Sequence, residues 1–255
     1  MSKYDDFTGT WNEFQSKDET PFQLLTRHVT YPTIRAALGD IKGARVLEIG
    51  CGGAALCAWL VEEAEAASVV GIDVSEKQIA DARRFIAEKQ LEQLVELKLM
   101  NSLELSFEND FDVVVSVFVL QDLNKADLLE VAKRAMKALK PSGRLVALMA
   151  SHNYEFKSEE SKRKYGIALT SYPSPAVDGA PVGYAFYDTD GRVLLDGLSQ
   201  YFYSDQYLEH MFRHTIGCSD FRWLSMRLSE EMVETEGYDY WLAALHGNSL
   251  FSVMK

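Results

Sequence analysis

The chain has 255 residues, of which 47% are hydrophobic and 25% charged, a balance typical of a soluble globular protein. Its formal charge of −12 disfavours a nucleic-acid partner, because an acidic surface repels phosphates. No stretch approaches the roughly 20 apolar residues of a membrane span, and the acidic start lacks the apolar core of a secretory signal. Three scattered cysteines make neither a disulfide framework nor a metal cage. We therefore expect a cytoplasmic protein that binds no nucleic acid, no membrane and no metal.

The first 43 residues are expected to form a helical lid. Residues 22–38 carry apolar side chains at helical spacing, and Pro32 interrupts this pattern, which predicts two short helices. Gly39 and Gly43 then bracket a turn before the first strand.

Strands and helices alternate between residues 44 and 151. Apolar, mostly Val-rich runs predict strands at 45–49, 68–73, 94–100, 111–120 and 144–151, and amphipathic runs predict helices at 54–66, 76–90 and 125–140. Ser75 is a suitable N-cap for the second of these helices. Unalternated apolar strands joined by helices indicate a parallel sheet that is buried on both faces. The predicted fold class is therefore α/β, a Rossmann-like three-layer sandwich.

The alternation ends after residue 151. Residues 152–203 predict a helix at 157–165 and a β-hairpin around Asp190-Gly191, inserted as a cover over the carboxyl edge of the sheet. Residues 204–255 predict a helix at 205–216 and strands at 221–228 and 249–255. These strands would complete a mostly parallel seven-stranded sheet, so residues 1–255 are expected to form one domain.

Residues 45–60, RVLEIGCGGAALCAWL, place a glycine-rich loop between a strand and a helix. Gly50 and Gly52 let backbone pass close to a ligand, and Asp73 ends the next strand about where an acid accepts hydrogen bonds from ribose hydroxyls. The loop also satisfies G-x-G-x-x-A through Ala55, so NAD stays open as the cofactor. Glu48 lies inside the strand, where a carboxylate suits an amine-bearing ligand better than a pyrophosphate.

The ordered segments VLEIGCGGA, VVGIDVS, FDVVVSVFVL and LKPSGRLV resemble the class I S-adenosylmethionine-dependent methyltransferases over residues 44–151. This resemblance implies S-adenosylmethionine as the cofactor, S-adenosylhomocysteine as its product, and no metal. It places the methionyl portion among Glu48, Gly50, Cys51 and Gly52, and the ribose hydroxyls at Asp73. Val74 would lie against adenine, Asn101 would take the place of the aspartate often found near the adenine amino group, and the remaining implied cofactor contacts are Ser102 and Phe118.

A narrower resemblance concerns the two ends of the chain. The N-terminal segment and the later segments YFYSDQYLEHMF, FRWLSM and GYDYWLAAL are similar to the toxoflavin-type N-methyltransferases. Phe7 and Phe14 occupy the places of two lid tyrosines of that family, with Trp11 between them. The aromatic cover is kept and the hydroxyl contacts are lost, so the toxoflavin substrate is not carried over to this chain.

Transfer of a sulfonium methyl needs an aligned acceptor and a dry site, but no covalent protein nucleophile. His152, directly after the fifth predicted strand, is the candidate general base for an oxygen acceptor; a polar loop residue is the alternative. His28 is a candidate pocket residue, against a packing or surface role. Tyr184 and Phe186 on the hairpin are candidates for the walls of a pocket for a flat ring, against simple packing.

These features predict a monomeric or homodimeric methyltransferase that acts on nitrogen or oxygen of a small, aromatic or heterocyclic metabolite. The segment after the fourth strand, VFVLQDL, lacks the Asp/Asn-Pro-Pro-aromatic sequence of nucleic-acid amino-methyltransferases, which favours a small molecule. An NAD-dependent oxidoreductase and a catalytically silent relative that binds S-adenosylmethionine remain as alternatives.

Overall fold

The computed structural model describes residues 24–150, 166–188, 190–218, 220–233 and 248–255. Its α-helices are α1 (Tyr31–Leu38), α2 (Ala55–Glu62), α3 (Glu76–Glu88), α4 (Lys125–Ala138), α5 (Asp205–His210) and α6 (Glu230–Val233). A π-helical segment, Thr26–Thr30, leads into α1, and a second one, Met211–Ile216, continues α5. Short 3-10 turns lie at Ser102–Glu104 and Leu120–Asp122.

The strands form a large sheet and a small one. Their bounds are β1 (Arg45–Ile49), β2 (Ser68–Asp73), β3 (Val95–Leu99), β4 (Phe111–Val117), β5 (Leu139–Ala150), β6 (Ile167–Ser171), β7 (Pro181–Tyr187), β8 (Val193–Tyr201), β9 (Phe221–Leu224) and β10 (Asn248–Met254). The large sheet has seven strands in the order β3-β2-β1-β4-β5-β10-β9, and the small sheet has three in the order β6-β7-β8. The predicted seven-stranded sheet is confirmed.

Parallel pairing brings the ends of β1, β2 and β4 together. β1 pairs in parallel with both β2 and β4, and β4 with β5, whereas β10 runs antiparallel to β5 and β9. Ile49 is level with Ile72 and with Ser116, so the loops that follow β1, β2 and β4 leave the same edge of the sheet. This carboxyl edge is where open α/β sheets bind their ligands.

Helices cover both faces of the large sheet. Val46, Val69 and Val113 are buried on the face that receives α1, α2 and α3. Leu47 and Val70, one residue further on, are buried on the opposite face with side chains of α4 and α5. Because successive strand residues point to opposite faces, near-continuous apolar strands need a helix layer on each side. The three-layer sandwich is confirmed.

The N-terminal helix differs from its prediction. The chain is helical from residue 24 through Pro32 to Leu38, so the two short helices separated at Pro32 are not found. Pro32 lies in the first turn of α1, where its missing N–H is least harmful, and the preceding π-helical segment changes the hydrogen-bond register before the ring. The proline therefore alters the helix type without ending the helix.

The predicted hairpin is present, and a third strand accompanies it. β7 and β8 pair antiparallel on either side of the Asp190-Gly191 turn, and β6 pairs with β7. β6 was missed because its five residues, IALTS, lack an alternating pattern and turn dipeptides at their ends. The predicted helix at 157–165 lies outside the described residues, and the lid and cover boundaries remain predictions.

Several element ends differ by a few residues. α2 ends at Glu62, four residues before its predicted end, and Glu65 then adopts a positive φ of 55° in the turn to β2. β5 begins at Leu139, before the turn where Ser142 adopts a φ of 67°. Within the described ranges, no helix combines the length and the hydropathy that crossing a membrane requires.

Candidate active site

The glycine loop after β1 folds back against the ends of β2 and β4. The backbone N–H groups of Gly50 and Cys51 both donate to the carbonyl of Ile72, at 2.8 and 2.9 Å. Gly50 has a φ of +75°, and a Cβ on it would stand 2.3 Å from Cγ2 of Val119. Glycine is therefore required here both by its backbone conformation and by the close approach of the segment after β4.

Asp73 joins the glycine loop to the start of α3. One carboxylate oxygen accepts the N–H of Gly52 at 2.9 Å, and the other accepts the N–H of Ser75 at 2.9 Å. Ser75 in turn accepts the N–H of Gln78 at 3.2 Å, which confirms it as the N-cap of α3. The acid that the sequence assigns to the ribose is thus fixed in orientation by backbone donors on two loops.

Glu48 is a buried carboxyl group directly below the loop. Its side chain points to the face of α2, where the thiol of Cys57 donates to Oε2 at 2.8 Å, and only 4% of the residue is exposed. Burial, with the nearby charge of Asp73, raises the pKa of Glu48 to about 8. Glu48 makes no ion pair with any described residue. A ligand that brings an ammonium group would supply the missing charge.

Tyr31 places the N-terminal helix at the same edge. Its ring stacks on Trp59 of α2 with centroids 5.7 Å apart and an interplanar angle of 3°. Burial, and secondarily the charge of Glu48, raise the pKa of Tyr31 to about 12. Tyr31 could not be predicted as a site residue from the sequence, because an aromatic at helical spacing is indistinguishable from an ordinary core residue.

The two cysteines of the loop and α2 lie side by side. Both are buried, as expected for small packing residues, and a Cβ on Gly71 would stand 3.0 Å from the sulfur of Cys51 and 2.8 Å from that of Cys57. Cys51 and Cys57 were expected to be scattered, whereas the structure brings them together across Gly71. Burial raises the pKa of the Cys57 thiol, so the thiol stays protonated and donates its hydrogen to Glu48.

The residues assigned to adenine lie along the same edge. Val74 is 45% exposed, an uncommon position for an apolar side chain that directly follows a buried strand. Oδ1 of Asn101 accepts the N–H of Leu103 at 3.0 Å, and Ser102 begins the 3-10 turn that follows. Phe118 follows β4 with a φ of +57°, and its N–H donates to the carbonyl of Leu148 at 2.8 Å.

The small sheet is attached on the other side of the turn after β4. The hydroxyl of Tyr203, just beyond β8, donates to the carbonyl of Leu123 at 2.6 Å. On β7, the rings of Tyr184 and Phe186 meet edge-to-face with centroids 5.7 Å apart, and they pack with Leu195 in a small apolar cluster. These two pocket candidates therefore lie together on one face of the small sheet, at least partly as packing residues.

His28 is buried and connects two parts of the chain. Its Nδ1 lies 2.9 Å from Oγ of Ser229, and its carbonyl accepts the N–H of the same serine at 2.9 Å. Five residues later Thr33 accepts the N–H of Arg227 at 2.8 Å. The structure thus assigns His28 a packing role between the first helix and the segment after β9, and a pocket role stays a prediction.

Four of the predicted site residues fall outside the described part of the chain: His152, Phe7, Trp11 and Phe14. β5 ends at Ala150, two residues before His152, at the same carboxyl edge as β1 and β4. Among the described residues no cluster of three or more His, Cys, Asp or Glu side chains is arranged to hold a metal ion.

The core of this chain is similar to known proteins. Residues 46–143 match a family described as "Methyltransferase domain". A demethylmenaquinone methyltransferase of Bacillus cereus is 34% identical over 131 residues, which are 49% of this chain and 53% of the relative. The chain thus spans about half the length of the curated relatives that it matches.

Solved structures share the fold at low sequence identity. An S-adenosylmethionine-dependent methyltransferase of Mesorhizobium loti superimposes with a TM-score of 0.61 at 18% identity, covering 88% of this chain and 97% of the other. The 1,6-didemethyltoxoflavin-N1-methyltransferase of Burkholderia thailandensis, solved with 1,6-didemethyltoxoflavin and S-adenosylhomocysteine, gives 0.57 at 15% identity, with 98% and 85% coverage. These structures confirm the predicted Rossmann-like fold.

Proposed function

We propose that this protein transfers a methyl group from S-adenosylmethionine to nitrogen or oxygen of a small, aromatic or heterocyclic metabolite. The observation that carries this proposal is the meeting of Glu48, the Gly50 turn and Asp73 at one edge of the sheet. Glu48 makes no ion pair with any described residue, Gly50 carries no side chain, and Asp73 is held by backbone donors. This set matches a ligand with an ammonium group and a ribose. The matched methyltransferase domain covers these positions.

The cofactor is held mainly by the loops after β1 and β2. Glu48 binds the amino group of the methionyl portion, the backbone of Gly50, Cys51 and Gly52 surrounds that portion, and Asp73 accepts the ribose hydroxyls. Val74 offers its exposed side chain to the adenine face. Asn101, Ser102 and Phe118 complete the adenine side, with the amide of Asn101 able to accept a second hydrogen bond besides that of Leu103.

When bound, the cofactor would supply a methyl group that is already activated for transfer to a lone pair of the acceptor. The protein's task is to align the acceptor with this methyl group and to exclude water. The proposed pocket for the acceptor is lined by five aromatic residues: Tyr184, Phe186, Phe7, Trp11 and Phe14. His28 completes this set, and His152 is proposed as the base when the acceptor is a hydroxyl.

The nature of the acceptor is supported by charge and by the relatives. The net charge of −12 disfavours a nucleic acid, and the toxoflavin-type structure has a small heterocycle bound. The curated relatives are named demethylmenaquinone methyltransferases. A cytoplasmic location and a monomeric or homodimeric state belong to the same proposal.

Calorimetric titration tests the cofactor assignment. We expect micromolar binding of S-adenosylmethionine and S-adenosylhomocysteine and no binding of NAD or NADH. Binding of NAD alone would overturn the proposal in favour of an oxidoreductase. Transfer of a labelled methyl group to a panel of small aromatic amines and phenols then tests activity, and binding without transfer to any of them would favour the catalytically silent alternative.

A further inference from the structure

Three buried polar atoms at the carboxyl edge have no hydrogen-bond partner among the described atoms: Oε1 of Gln78, Oγ of Ser116 and Oε1 of Gln121. Their residues are between 1% and 6% exposed. A buried acceptor that is left unpaired destabilises the folded state, so folded proteins rarely keep one without a reason. A ligand that donates a hydrogen bond is one such reason.

The two glutamines lie on different sides of the glycine loop. Oε1 of Gln78 is 3.9 Å from where a Cβ on Gly52 would stand and 4.0 Å from that of Gly53, so it adjoins the part of the loop assigned to the cofactor. Gln121 belongs to the 3-10 turn after β4, two residues beyond Val119, whose side chain contacts Gly50.

The turn that carries Gln121 lies between the cofactor loop and the small sheet. On one side Val119 packs against Gly50, and on the other the carbonyl of Leu123 accepts the hydroxyl of Tyr203 at 2.6 Å. The turn that carries Gln121 therefore connects the glycine loop assigned to the cofactor with the small sheet proposed to cover the acceptor.

We propose that the amide oxygen of Gln121 accepts a hydrogen bond from the N–H or O–H group of the methyl acceptor that becomes methylated. This proposal rests on the proposed function and narrows its substrate to acceptors whose reacting nitrogen or oxygen carries a hydrogen. An amide does not take up protons, so Gln121 orients the acceptor, and the proton released on methylation passes to water or to another group. Where the reacting atom carries a single hydrogen, as in a phenol or a ring N–H, the methylated product has lost this donor, binds less tightly and leaves.

Paired fragments test this contact on the protein loaded with S-adenosylhomocysteine. Phenol and anisole, and imidazole and 1-methylimidazole, differ by the hydrogen that methylation removes. Ligand-observed NMR titrations give the affinity ratio of each pair in the wild type and in Gln121→Met, which keeps the length of the side chain. We expect the wild type to prefer the unmethylated fragment about fivefold or more, and this ratio to fall at least about fivefold in the variant.

The matched control is Gln78→Met, at the other unpaired glutamine. We expect it to weaken S-adenosylhomocysteine binding and to leave the fragment ratio unchanged, whereas Gln121→Met should leave S-adenosylhomocysteine binding within about twofold. Gln121→Met should also not lower the melting temperature, because it removes an unpaired buried atom.

Three results would overturn the assignment of Gln121: no fragment binding at millimolar concentration, an equal ratio in wild type and variant, or a loss of S-adenosylhomocysteine affinity in Gln121→Met as large as in Gln78→Met. Absence of S-adenosylhomocysteine binding in the wild type would instead refute the proposed function itself.

Discussion

The two halves of the carboxyl edge are built in different ways. The half proposed to bind the cofactor, called the cofactor half, consists of the ends of β1 and β2. There the N–H of Gly50 donates to the backbone carbonyl of Ile72, and the N–H of Gly52 donates to the carboxylate of Asp73. The half proposed to bind the acceptor, called the acceptor half, joins the turn after β4 to a sheet 80 residues away in sequence, through the contact between Leu123 and Tyr203. Backbone geometry thus defines the first half, and side-chain contacts between distant segments define the second.

This difference has a functional consequence. A site made by glycine backbone and one fixed acid tolerates little change, which suits a cofactor that never varies. A site made by side chains on a separate sheet can change its substrate without disturbing the cofactor loop. Substitutions in the two halves should therefore differ in size and in what they affect.

The largest effect is expected for Gly50→Ala. The new Cβ would stand 2.3 Å from Val119 at a φ of +75°, so the free energy of unfolding should fall by about 2–4 kcal/mol. The matched control is Gly53→Ala, whose Cβ would meet nothing closer than 4.0 Å and whose φ is not in the left-handed region. We expect it to change stability by less than about 0.5 kcal/mol in urea denaturation of the ligand-free protein. Equal effects would show that the loop is less constrained than its contacts indicate.

The next effect concerns ligand binding, through Asp73→Asn. This change keeps the size of the side chain but removes its charge and places an N–H group against a backbone donor of Gly52 or Ser75. The free energy of binding S-adenosylhomocysteine, measured by calorimetry, should become less favourable by about 1.5–3 kcal/mol, the range of hydrogen bonds to charged groups. Asp112→Asn is the control, since Asp112 binds Arg45 and Lys140 at the start of β4. Unchanged affinity in a folded Asp73→Asn protein would contradict the ribose assignment.

Glu48 allows the cofactor half to be tested by pH. Its carboxyl pKa is raised to about 8, mainly by burial, and the groups that face it are Asp73, Cys57, Cys51 and Tyr31. The folded protein therefore binds more protons than the unfolded chain between about pH 4.5 and 8, so the stability of the ligand-free protein should fall as pH rises through that window. In Glu48→Gln this part of the fall should disappear in denaturation curves recorded at several pH values.

Ligand binding should also change the protonation of Glu48. An ammonium group beside Glu48 favours the carboxylate, so binding of S-adenosylhomocysteine at pH 7 should release about one proton. Calorimetry in buffers of different ionisation enthalpy measures that number, and Glu48→Gln should release none from this site. An unchanged proton count in the variant would place the ammonium group elsewhere.

The same contrast explains what could be predicted from the sequence. β1 and β2 were predicted to the residue, and Ser75 was recognised as a cap, because strand period and capping chemistry are local. The approach of Val119 to Gly50, the stacking of Tyr31 on Trp59 and the pairing of Cys51 with Cys57 across Gly71 could not be predicted, because each depends on where distant segments meet. The strand β6 could not be predicted for a related reason, because its pairing with β7 defines it more than its own composition does.

The smallest effect is expected in the acceptor half, for Tyr203→Phe. The hydroxyl of Tyr203 donates to the carbonyl of Leu123 at 2.6 Å, and burial raises the pKa of this phenol, so the hydroxyl stays protonated as a donor over the whole neutral range. Its removal leaves the Leu123 carbonyl without that partner, which should lower the free energy of unfolding by about 0.5–1.5 kcal/mol.

Tyr207→Phe is the matched control for Tyr203→Phe, because the two rings stack at 5.4 Å and the substitution likewise removes one hydroxyl. We expect a change of less than about 0.5 kcal/mol for Tyr207→Phe, and affinity for S-adenosylhomocysteine within about twofold of wild type for both. If Tyr203→Phe weakened S-adenosylhomocysteine as much as Asp73→Asn does, the turn after β4 would transmit the position of the small sheet to Gly50 through Val119. The two halves of the edge would then act as one unit, and the independence inferred from their construction would be wrong.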